Sequence, residues 1–72
     1  MLEAVTLREI NRIFEVTDVM GIHREALVIP LRTRKGGGLR RMPGGKIEIV
    51  VDSAADFEEW LAGLGARLRE LS

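Results

Sequence analysis

Gly36-Gly37-Gly38 and Pro43-Gly44-Gly45 confine the middle of this chain to turns and short extended pieces. Relative to alanine, glycine weakens a helix interior by about 1 kcal/mol and proline by about 3 kcal/mol. No helix therefore runs through 34–46, and helices are restricted to the segments on either side. Pro43 and Gly44 suit the two central positions of a type II turn, where proline presets φ and glycine tolerates a positive value. Between the clusters there is room for one brief middle strand, Leu39–Met42.

The flanking segments carry clear helix signals. Thr6-Leu7-Arg8-Glu9 is a capping box, with Val5 and Ile10 placed as the hydrophobic staple around it. Leu7, Ile10, Ile13 and Phe14 then form one apolar stripe. Gly21, followed by Ile22, is suited to end the helix, which should run from about Leu7 to between Val16 and Met20. After the glycine clusters, Ser53-Ala54-Ala55-Asp56 reads as a capping signature with Ser53 as the cap. Phe57, Trp60, Leu61, Leu64, Leu68 and Leu71 continue it as an amphipathic helix. Gly63 and Gly65 weaken that helix, and mark either a close backbone approach or a local kink.

Ala26–Thr33 reads as a strand, with Pro30 demanding an edge or a bulge. Lys46–Asp52 alternates, with Ile47, Ile49 and Val51 on one face. The expected fold is one α+β domain over 1–72, in the order α-β-(β)-β-α. Its small antiparallel sheet has two to three strands, with both helices on one face. Leu27, Ile29 and Leu31 should join Ile47, Ile49 and Val51 beneath the helices, with Trp60 buried against Ile47 and Ile49. Val28, Pro30 and Val50 are then left on the other face as an uncovered apolar strip.

At 72 residues the chain is near the lower limit for a self-sufficient core, and it has no cysteine for a disulfide or a thiolate metal site. The expected supplement is a partner subunit, giving a homodimer through Val28, Pro30 and Val50. Apolar residues make up 46% and charged residues 31%, as in folded water-soluble proteins. No apolar run approaches the ~18 residues that span a bilayer, and no signal peptide is apparent, so a cytoplasmic location without membrane contact is expected. Nine arginines against two lysines, one side-chain amide (Asn11) and no glutamine give a thermophile-like composition.

Catalytic patterns are missing. There is no cysteine or tyrosine, and His23 is the single histidine. Ser53 reads as a cap and Ser72 is the last residue. The usual pairing of nucleophile and base is absent. Asp52, Asp56, Glu58 and Glu59 cluster at the start of the last helix, where acids complement the helix dipole. Gly45-Lys46 lacks the glycine five positions earlier and the following Ser or Thr of a phosphate loop. The expectation is a non-enzymatic binding module, without cofactor or metal.

One charge feature stands apart. Net charge is zero, yet Arg32, Arg34, Lys35, Arg40, Arg41 and Lys46 supply six of the eleven cations within fifteen positions. No acid occurs between Glu25 and Glu48. These residues are the candidate contacts to an anion, above all nucleic-acid phosphate, on a glycine-rich arm expected to be mobile. Strand alternation should send some of them to the opposite face. The element order is similar to that of the double-stranded-RNA-binding domain. That family begins its second helix with phosphate-contacting lysines, whereas Asp52–Glu59 here is acidic, so the likeness is one of topology.

Overall fold

In the computed structural model, which describes residues 4–71, Thr6 opens helix α1, Leu7–Val19. The Thr6 N–H donates to the Glu9 carboxylate at 2.9 Å, and the Thr6 hydroxyl donates to the same oxygen. Val5 is buried, and Ile10 packs against the same cluster, as a staple requires. At the far end Gly21 adopts φ +76°. Its N–H donates to the Asp18 carbonyl and the Ile22 N–H to the Thr17 carbonyl, which together make a Schellman motif.

A 3₁₀ turn, Arg24–Ala26, leads into strand β1, Leu27–Val28. Strands β2, Gly38–Arg41, and β3, Ile47–Val50, form a hairpin closed by the Pro43-Gly44 turn. The sheet order is β1-β3-β2, with β2 antiparallel and β1 parallel to β3. The α+β class holds, but the sheet is mixed and not wholly antiparallel.

The reason lies in the connection from β1 to β2. The Arg34 N–H donates to the Val51 carbonyl and the Arg34 carbonyl accepts from the Ser53 N–H, each at 3.0 Å, so Arg34 still lies on the β1 side of β3. By Gly38 the chain has reached the other side, paired with Val50. The crossing runs tight against the strand. Gly37 has φ +59°, and a Cβ there would lie 2.7 Å from the Val50 carbonyl oxygen and 3.0 Å from the Asp52 nitrogen.

The expected strand Ala26–Thr33 contracts to β1 for a related reason. After Val28↔Glu48 the next bridge is Arg34↔Asp52, so residues 29–33 oppose only 49–51. Pro30, which has no N–H to donate, sits inside this mismatch. Alternation is lost there, and Leu31 is 62% exposed instead of facing the helices. Its carbonyl accepts from the Val5 N–H, and Ala4 bridges Arg32 along the outer edge of this segment.

The last helix is two: α2, Phe57–Ala62, and α3, Leu64–Leu71, separated by Gly63. Arg67 donates to the Trp60 carbonyl at 2.8 Å across the break. Asp56, not Ser53, caps α2, accepting from the Glu59 N–H. Ser53 donates its N–H to the Arg34 carbonyl, so it is still tied to the sheet, in a bend, where that cap was expected. Trp60, Ile49, Val51, Ile13 and Leu64 are buried in one core between the helices and one face of the sheet. The apolar strip on the other face is smaller than expected: Val50 is buried, and Val28 and Pro30 are half-buried. Among the described residues no helix is long and apolar enough to cross a membrane.

Candidate anion-binding face

Alternation along β3 turns Glu48 and Val50 away from the helices, opposite Arg40 and Gly38 of β2. The Arg40 Nε donates to the Glu48 carboxylate at 2.7 Å, and this hydrogen bond, reinforced by opposite charge, raises the arginine pKa. Arg34 reaches the same face over Gly38, where a Cβ would lie 2.7 Å from the Arg34 Nη2. Gly38 thus leaves room for a guanidinium. The bowed connection adds Arg32 and Thr33. Pro30, Arg32, Thr33, Arg34, Arg40, Glu48 and Val50 line one hollow of about 580 Å³.

This arrangement divides the basic arm. Arg32, Arg34 and Arg40 converge, whereas Arg41, one position along β2, turns to the helix side and donates to the Leu71 carbonyl at 3.1 Å. Lys35 lies in the crossing turn, and Lys46 follows the exposed tip of the hairpin. Neither lines the hollow. Among the described residues, Arg32 and Arg34 have no carboxylate partner, and Glu48 is the single acid in the lining. The hollow is therefore cationic, with guanidinium groups suited to paired hydrogen bonds with phosphate oxygens.

The crossing turn makes several hydrogen bonds to the segment that follows β3. One oxygen of Asp52 accepts from the Gly36 N–H at 2.9 Å and the Ala54 N–H at 2.8 Å. The bond from Ala54, then that from Gly36, holds the Asp52 carboxyl below its usual range. With the Gly37 N–H on the Arg34 carbonyl, these bonds tie the turn to the end of β3. The crossing turn of the arm is thus held by the Asp52 side chain and by the main-chain groups of Val51 and Ser53, just beyond β3.

The remaining acids of the cluster have separate engagements. Asp56 caps α2, and Glu58 accepts from Arg12, which holds the Glu58 carboxyl below its usual range. Among the described residues no three His, Cys, Asp or Glu side chains come together as a metal site. His23 is exposed ahead of the 3₁₀ turn, beside the Asp18–Arg24 ion pair.

Three contributors to this face escaped sequence reasoning: Gly38 as the seat of Arg34, Glu48 as the partner of Arg40, and Asp52 as the tie on the turn. Only the second had a local signal, since a hairpin register centred on Pro43–Gly45 sets Glu48 against Arg40. The chain matches no protein-family model, and neither a curated protein nor a solved structure is similar to it.

Proposed function

We propose that the chain is a non-catalytic binding module of the cytoplasm, acting as a homodimer, whose open sheet face docks on the phosphodiester backbone of a nucleic acid. The observation that carries this reading is the convergence of Arg32, Arg34 and Arg40 on one hollow in the face turned away from the helices. Phosphate contacts of this kind hold a protein on the backbone without reading bases, so binding should be tolerant of sequence. Among the described residues no aromatic side chain lines the hollow, which favours backbone contact over base stacking.

Fluorescence anisotropy with short duplexes between low and physiological salt tests the reading. With Arg40 shared with Glu48, two to three phosphates are neutralised per protomer, for a log–log salt slope of about −2 to −3. Arg32→Gln with Arg34→Gln should weaken binding to every sequence alike and flatten the slope by about two units. Arg41→Gln, on the other face, should leave the slope unchanged. Absence of binding at low salt, or an equal loss in Arg41→Gln, would remove nucleic acid as the ligand of this face.

A further inference from the structure

We infer that the outer edge of β2, which pairs with no other strand among the described residues, pairs with β2 of a second copy, joining two sheets and two arginine hollows into one continuous basic face. The ligand assigned to that face rests on the nucleic-acid reading; the pairing follows from main-chain geometry alone. The Met42 N–H donates to the Lys46 carbonyl at 2.7 Å, which sets the phase of the hairpin. In an antiparallel ladder the bonded pairs recur at every second residue. Arg40↔Glu48 and Gly38↔Val50 are then bonded pairs, and Leu39 and Arg41 turn their N–H and C=O groups away from β3. The opposite border of the sheet differs, because Val5 and Ala4 cover the segment that follows β1.

The open edge is bounded at both ends. Gly37 has a positive φ and spends its N–H on Arg34, and Pro43 has no N–H. An antiparallel two-fold pairing that sets Leu39 against the partner subunit's Arg41, and Arg41 against the partner subunit's Leu39, uses every outward group. It makes four hydrogen bonds, whereas a shift by two residues runs into the crossing turn or the proline. The edge is thus complementary to itself, which singles out a second copy as its occupant. The zero net charge of the chain offers no general repulsion to such pairing.

In this register Arg40 lies directly opposite the partner subunit's Arg40 on the open face. Like charges facing each other oppose pairing. Glu48, at 2.7 Å from Arg40, offsets part of that repulsion, and Arg41 is drawn to Leu71 on the helix side. A polyanion lying across the joined face removes the rest. Self-association and anion binding should therefore strengthen each other, by the same factor in both directions.

The chain has no cysteine, so Arg40→Cys places one thiol per protomer on the two-fold axis. A non-bonded antiparallel pair brings Cα atoms to about 4.5 Å, close enough for a disulfide. Mild oxidation should convert Arg40→Cys to a covalent dimer, whereas Ala66→Cys, exposed on α3, should stay monomeric. Because Arg40→Cys also removes a charge, the wild type is read by amide hydrogen exchange. The Leu39 and Arg41 amides should exchange freely in dilute protein, and about tenfold or more slowly when concentrated or bound to a short duplex. Failure of Arg40→Cys to cross-link beyond Ala66→Cys overturns the pairing, as does free exchange of both amides under every condition. Cross-linking without duplex binding overturns only the nucleic-acid reading; binding without cross-linking overturns only the pairing.

Discussion

The two glycine turns look alike in sequence and are used for different physical purposes. Both combine glycines with a nearby lysine, Lys35 in one and Lys46 in the other. At the hairpin tip Gly44 and Gly45 adopt φ +88° and +83°, and a Cβ on either would meet nothing within 4 Å. Glycine supplies backbone conformation there, and the turn joins strands that are already neighbours. In the crossing turn Gly37 supplies conformation and also space, since the β3 backbone occupies the place of its missing side chain. That turn decides which strands become neighbours. A glycine cluster therefore carries topological information only where a second strand lies against it.

Gly37→Ala tests this contrast most severely. It combines an unfavourable left-handed conformation with a clash against main-chain atoms that cannot swing aside. A loss of about 2–4 kcal/mol is expected in urea denaturation. Gly44→Ala carries the conformational strain alone and should cost about 1 kcal/mol by the same measurement. Equal losses at the two positions would erase the distinction.

The smallest effect concerns Asp52, which ties the crossing turn and has no counterpart at the hairpin tip. Its folded pKa is depressed below the ordinary 3.8 by the N–H groups of Ala54 and Gly36. Below that value the unfolded chain binds the proton more readily, so the stabilisation is complete above pH 3.8 and disappears as pH falls through the folded pKa. Thermal melts through this acid range should show a shallower decline for Asp52→Asn than for the wild type. The decline should not vanish, because Glu9, Asp18 and Glu58 are depressed as well. An unchanged decline would show that Asp52 does not hold the turn.

What the sequence made legible was local. The cap at Thr6, the stop at Gly21, the Pro43-Gly44 turn and the alternation of β3 each depend on residues a few positions apart, and each stands as expected. Burial of Trp60 followed from helical spacing in the same way. Periodicity assigns a residue to a face, but it does not choose the neighbouring strand, so the parallel pairing of β1 with β3 was not readable. The same limit applies to the basic arm. Alternation implied that its cations would divide, yet which of them share a hollow depends on the bow at 29–33 and on the seat at Gly38. Ser53 failed as a cap because Arg34, distant in sequence, holds its backbone.

The central place of β3 also bears on how the chain is made. Its partners in β2 lie six to twelve positions away, from Arg41↔Ile47 to Gly38↔Val50, whereas Leu27↔Ile47 spans twenty. Loop closure grows costlier with separation, which favours the hairpin as the first long-lived contact. Translation makes the segments in the reverse order of that preference, with α1 and β1 polymerised before any residue of β3. Until Val51 emerges, Ile13 and Leu27 have no sheet to pack against. The first half of the chain therefore completes its core only once the second half is present.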